Sequence, residues 1–340
     1  MITEHAVAQT AVKWSALPDL PDQQGFAGMY AGVSNDALIA MGGANFPDKY
    51  PWEGGKKKWY DDIYVLKNGS TWVKAKEKMP FPGGYGVSVS YKNKVILVGG
   101  SHENGHFRHV KGYEWDGKKV LYSDYPDLPI TLANMGGGLL GDVIVVFGGN
   151  ESPAGSALKK CYGLDLTDLS AGWLELEAWP GPERIFPVCS FYKGQGYMFG
   201  GETVGFNSKK EKFRSILLDS YRMTLEKSAR GWTAHWEELA SMPRGMSAGG
   251  SLLPVLQDKF LFWGGVDAVT AQYRNPATHP GITKSLLYYF PETDSWEYIG
   301  EQNKILSRVT LPVVFFQDQW FYVSGEVKAG IRTPTVVGVR

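Results

Sequence analysis

Short apolar runs ending in a pair of glycines recur along this chain. LIAMGG closes at Gly43, VILVGG at Gly100, VIVVFGG at Gly149, GYMFGG at Gly201 and FLFWGG at Gly265; a sixth copy, WFYVSGE, keeps only the second glycine, Gly325. Successive second glycines lie 57, 49, 52, 64 and 60 residues apart. Apolar runs of this length, rich in β-branched and aromatic residues and bounded by turns, read as buried strands. A stretch of small or apolar residues and a turn stands before each run, as in YGVSVSYKNK and PVVFFQDQ. After it come a loop, a strand such as DDIYVL, CYGLDL or DSYRMTL, and then a Trp segment such as TWVKAKEKMP or SWEYIG. Four short antiparallel strands per unit make one blade of a β-propeller. The glycine pair falls where no side chain fits beside the next blade, and the Trp fills space between blades.

A period of about 50 residues is that of Kelch repeats. Six copies therefore predict an all-β fold, a six-bladed Kelch-type β-propeller spanning 1–340 as one domain. The last unit ends at TPTVVGVR with only three strands. Its missing fourth, with Trp and an LP turn, is VKWSALPDLP around Trp14, so residues 11–21 are expected to complete the last blade and close the ring. Blade 2 is the least regular, since KKVLYSDYPDLP has Tyr125 where other units have Trp. The segment KEKFRSILLDSYRM has a helical look, but it falls where a third strand belongs.

Composition changes this picture little. A chain of 340 residues would otherwise suggest two domains, but a ring adds core blade by blade. Lys+Arg and Asp+Glu both total 35, so there is no electrostatic footprint for nucleic acid or an anionic membrane. The clusters Lys56, Lys57, Lys58 and Lys209, Lys210, Lys212 read as solvated loops. Cys161 and Cys189 fit no zinc spacing and read as free buried thiols. The first residues, MITEHAVAQTAVKW, have neither apolar core nor basic leader, which leaves a cytoplasmic location, or a periplasmic one had a leader been trimmed. No apolar run approaches the roughly 18 residues of a membrane helix.

In a propeller, the loops after the glycine pairs share a face with the segments that enter the innermost strands. Polar groups there can converge on the channel mouth. After the pairs stand Asn45, Asn150, Glu151, Glu202, Asp267 and Glu326; before the innermost strands stand Tyr85, Asn134, Arg184, Arg244 and Arg308. The long first loop adds Lys49, Trp52, Glu53 and Tyr60. Of these, Asn45, Tyr85, Asn150, Arg184, Glu202 and Arg244 are expected to bind substrate. Mixed charge with amide and aromatic groups suits a polar sugar bearing a carboxylate. His102, His106 and His109 share one loop, but their spacing matches no metal motif and no metal is expected. There is no phosphate loop and no nucleophile elbow.

One stretch goes beyond generic repeat architecture. VSGEVKAGIRTPTVV, residues 323 to 337, resembles the GE-x-K-x-G-x-R-T segment of the N-acetylneuraminate epimerase (sialic acid mutarotase) family. GFAGMYAGVSNDALIAMGGANF and GGYGVSVSYKNKVILVGG are similar to that family's glycine-rich blade starts. The segment closes the chain here rather than lying mid-chain, so the sequence resembles a cyclically permuted branch. The resemblance implies that Glu326 is the proton acceptor and Arg332 its partner, suited to the substrate carboxylate. It further implies a cofactor-independent isomerase acting on a sialic acid; a monomer or homodimer is expected. On loop charges alone, Glu326 and Arg332 would equally make a structural ion pair. Other readings on the same scaffold are a non-catalytic glycan- or protein-binding propeller, a copper oxidase needing a Cys–Tyr pair, and a hydrolase using Arg184, Arg244 and Arg308 as a triad.

Overall fold

The computed structural model describes residues 12–340 other than 230, 274 and 277. Within them the chain forms six four-stranded antiparallel sheets and three added two-stranded hairpins. Blade 1 consists of Tyr30–Ser34, Ala37–Met41, Asp62–Lys67 and Thr71–Lys78. Blades 2 to 5 begin with the innermost strands Val87–Tyr91, Ala133–Leu140, Val188–Tyr192 and Val255–Leu256. Blade 6 combines Val313–Phe316, Gln319–Val323 and Val336–Val339 with Trp14–Leu17 from the other end of the chain. Trp14 pairs with Val339 and Leu17 with Val336, and the Trp14 ring meets Trp263 edge-on at 4.9 Å. The expected closure is therefore present, with a shorter strand than the sequence pattern suggested. Residues 1–11, on which most of the leaderless reading rests, lie outside the described residues.

Two rings of backbone hydrogen bonds explain the repeat. In the first, the second glycine of each pair donates its N–H to the next blade: Gly43 to Gly83, Gly100 to Leu132, Gly149 to Arg184, Gly201 to Met246, Gly265 to Arg308, and Gly325 to Phe26. The first glycine of the pair must lack a side chain, because a Cβ at Gly42 would lie 2.4 Å from the Gly83 carbonyl oxygen. At the sixth junction Ser324 stands there instead, and its hydroxyl satisfies the Phe26 backbone N–H at 2.8 Å. The second ring lines the channel. Gly28 donates to Thr310, Thr310 to Ala248, Ala248 to Phe186, Phe186 to Asn134, Asn134 to Tyr85, and Tyr85 back to Gly28, at 2.6–3.0 Å. All six sit at left-handed φ between +52° and +69°. One residue per blade closing on itself fixes the blade number at six.

The core lies between neighbouring blades. Fourth-strand tryptophans reach the end of the preceding blade: Trp72 donates to the Pro18 carbonyl, Trp173 to Pro126, Trp236 to Glu177 and Trp296 to Ala240, at 2.7–3.0 Å. In blade 2 the same contact is made by the Tyr122 hydroxyl on the Lys78 carbonyl at 2.7 Å, so Tyr122 rather than Tyr125 takes the place of the Trp. The helical look of KEKFRSILLDSYRM resolves into Lys212–Ile216, half of an added hairpin with Glu202–Phe206, and Ser220–Ser228, the third strand of blade 4. Both cysteines are fully buried and free.

Candidate active site

The residue after each glycine pair pairs with the strand that leads into the channel. These six are Ala44, Ser101, Asn150, Glu202, Val266 and Glu326, bridged to Ala27, Gly84, Ala133, Ile185, Ser247 and Val309. They form a ring at one mouth of the channel, polar at four of six positions. Over blades 1 to 4 the mouth opens into a cavity of ≈ 600 Å³ that includes Lys57, Tyr85, His106, Asn134, Asn150, Glu202, Lys212 and Arg214. Lys57 stands 4.7 Å from the Trp59 ring centre and 4.6 Å from that of Tyr85, and donates to the Tyr85 hydroxyl at 3.3 Å.

Glu326 and Arg332 face each other across the hairpin Glu326–Lys328 and Ile331–Arg332. Arg332 Nη2 lies 2.7 Å from Glu326 Oε2; the arginine side chain is 4% exposed and the glutamate side chain 20%. Burial raises the Glu326 pKa above the ordinary carboxylate range, against the opposing pull of Arg332, the Gly330 N–H and Lys57. Arg332 packs on the Phe46 face at 4.8 Å, and its Nε and Nη1 are buried without a hydrogen-bond partner among the described residues.

A family model described as N-acetylneuraminate epimerase matches residues 1–122 and 125–275. This chain belongs to the N-acetylneuraminate epimerase family. The match ends before the GE…R segment, so the family assignment rests on the earlier blades. The N-acetylneuraminate epimerase of Haemophilus influenzae (strain 86-028NP) is 41% identical over 124 residues, 32% of this chain and 32% of that protein. That of Salmonella enteritidis PT4 is 43% identical over 108 residues, 28% of each chain. The aligned stretches thus span about a third of the curated relatives. The solved structure of YjhT superposes with a TM-score of 0.68, covering 96% of this chain and all of that one at 14% identity, a likeness of fold.

On this N-acetylneuraminate epimerase family scaffold the sequence-expected groups divide. Glu202, Asn150 and Tyr85 stand at the cavity. Asn150 Oδ1 accepts from Asn134 Nδ2 at 2.9 Å and lies 3.1 Å from His106 Nε2. Asn45 is one residue off the ring position, which Ala44 fills. Side chains alternate along a strand, so Asn45 turns inward, accepting from the Tyr60 hydroxyl at 2.8 Å and donating to the Gly25 carbonyl at 3.0 Å. It is 2% exposed, which corrects its expected place in the pocket.

Arg184 and Arg308 are corrected likewise. They occupy the position that Phe26, Leu132 and Met246 fill in other blades, a core site between sheets, and are 0% and 2% exposed. Arg184 forks Asp219 at 3.0 and 2.6 Å and also donates to the Gly200 carbonyl at 2.8 Å. Arg308 bonds the Ser324 and Thr335 carbonyls. Arg244 is bound to Ser285 Oγ at 2.6 Å, and burial pushes its pKa down to about 10. Arg184 and Arg308 serve blade packing while Arg244 is half-buried and engaged by Ser285, so the triad of a hydrolase is not assembled.

The histidines part company too: His106 meets Asn150, His109 meets Asp127 at 3.3 Å, and His102 accepts from the Asn104 N–H at 2.9 Å. Among the described residues no three His, Cys, Asp or Glu side chains converge as metal ligands.

Lys57, Lys212 and Arg214 at the cavity are not picked out by the sequence pattern, where the two lysines read as solvated loop charges. The available signal was an echo of blade 6: GGETVGFNSKKEKFR places a Glu after the glycine pair and an Arg on the returning strand, disguised by a longer loop.

Proposed function

We propose that this chain is a sialic acid mutarotase, interconverting the α and β anomers of N-acetylneuraminate or a close relative. Glu326 carries the reading: a carboxylate at the channel mouth, made more basic by burial and held in place by Arg332. A base abstracts the proton of the anomeric hydroxyl as the bond from C2 to the ring oxygen breaks. The ring oxygen takes up a proton, and the open keto acid rotates about C2–C3. Reclosure on the other face of the carbonyl reverses the proton transfers. Lys57, close enough to pull on the Glu326 charge, is a candidate donor at the same opening. Proton transfer of this kind needs no cofactor or metal.

Arg332 acts on Glu326 rather than on substrate, because so little of it reaches the surface. The family's name and the cationic lining of Lys57, Lys212 and Arg214 both support an anionic sugar as ligand.

The experiment adds protein to freshly released α-sialic acid and follows decay to the β anomer by proton NMR. Acceleration is expected, and Glu326→Gln should lower it about 10²–10⁴-fold. An unaltered decay at high protein concentration points to a propeller that only binds its ligand. Full activity in Glu326→Gln removes the assigned base.

A further inference from the structure

Blades 4 and 6 carry related hairpins at the mouth, each pairing a ring-position glutamate with an arginine on the returning strand. In blade 6 Arg332 lies directly opposite Glu326. In blade 4 Arg214 lies opposite Val204, diagonal to Glu202 on the same face. Their exposures are inverted. Glu326 is 20% exposed over a sunken Arg332 at 4%, whereas Arg214 is 43% exposed over a sunken Glu202 at 6%. In blade 6 the carboxylate is the less covered partner; in blade 4 it is the guanidinium, which lines the cavity.

We propose that Arg214 is the specificity residue that receives the carboxylate of the sugar acid, an inference that rests on the mutarotase reading. Arg214 Nε and Nη2 both donate to Glu202 Oε2, at 2.9 and 2.6 Å, and the Ser247 hydroxyl donates to the same oxygen at 2.9 Å. The fork is thereby fixed before any ligand arrives, while Nη1 has no partner among the described residues. A planar guanidinium held in this way matches a carboxylate in geometry as well as charge. Arg214 is the arginine that lines the ≈ 600 Å³ cavity, whose lining also includes Lys57 and Lys212. Together the three cations outnumber Glu202 and Glu103 around the cavity, so an anion is favoured despite the buried glutamate. Arg332 is too deeply covered for this task, Arg184 and Arg308 lie between blades, and Arg244 is bound to Ser285 and does not line the cavity.

The test compares N-acetylneuraminate with its methyl ester, which lacks the negative charge, on wild type, Arg214→Ala and Arg214→Lys. Anomer exchange by NMR gives KM and kcat, and calorimetric titration gives affinity without reference to turnover. For the acid, Arg214→Ala should raise KM and Kd about 10- to 100-fold with little change in kcat, and leave the ester unaffected. Arg214→Lys should recover part of the loss. Equal effects on acid and ester, or none, would overturn the assignment, as would a wild type that binds acid and ester alike. A wild type that prefers the acid in titration through Arg214, yet does not exchange anomers, would sink the mutarotase reading and leave the carboxylate site standing.

Discussion

Truncation of Arg184, which is 0% exposed between blades, separates a packing role from one at the substrate. Its guanidinium lies 5.2 Å from the Trp179 ring and 5.4 Å from that of Tyr221, with Nη1 and Nη2 each bonded to Asp219. Arg184→Ala leaves Asp219 with the Tyr221 hydroxyl, at 2.8 Å, and strips a bond from the Gly200 carbonyl. Breaking a buried pair from one side costs about 3–5 kcal/mol. Asp219 keeps 19% of its side chain exposed, so water takes over part of the lost contact and the lower end, about 3 kcal/mol, is expected. At about 2.1 cal/mol/K per residue, a chain of this length unfolds with an entropy of about 0.7 kcal/mol/K, so Tm should fall by about 4 °C. Differential scanning calorimetry measures that drop, and the NMR anomer assay at a temperature well below it should give an unchanged KM. Adding Asp219→Asn should cost less than its effect on wild type, since the pair is already broken. A raised KM with an unmoved Tm would place Arg184 at the mouth and refute the packing argument.

Glu326→Gln should change the pH dependence of stability as well as activity. Burial raises the folded-state pKa above the unfolded one, so the carboxyl's contribution is complete below the ordinary Glu pKa and lost as pH rises through the folded value. The Tm of the Gln variant relative to wild type should therefore rise as pH climbs above the ordinary Glu pKa; a relative fall would mean that the Arg332 attraction outweighs burial. Deleting residues 1–17 removes the strand that covers Val336–Val339 and separates Trp14 from Trp263, so lower stability and self-association in light scattering are expected; a monomer of unchanged Tm would show that the ring does not need this closure. Cys161 and Cys189 are buried, which pushes both thiols up, Cys189 to about 11. Neither should react with a thiol reagent until denaturant is added, when two per chain should; prompt native labelling would contradict the packing.

The architecture was legible in the sequence because its determinants are local and repeated. A glycine pair at a strand end, a Trp in the fourth strand and a turn between them recur in unit after unit, and each is fixed by backbone geometry within or just beyond one blade. The number of blades and the borrowed N-terminal strand follow from counting such units. Glu326 and Arg332 came from one short segment, whose two residues sit opposite each other in a single hairpin.

What the sequence could not decide was which way a side chain turns once a strand has a neighbour. One residue of register separates Ala44 at the mouth from Asn45 in the interior. Two residues separate the channel-lining Phe186 and Thr310 from Arg184 and Arg308, which fill core positions held elsewhere by Phe26, Leu132 and Met246. The assembly of Lys57 from one blade with Glu202 and Arg214 from another likewise appears only in the closed ring. Radial packing brings distant loops to one opening, and the identity of those neighbours is a property of the tertiary structure.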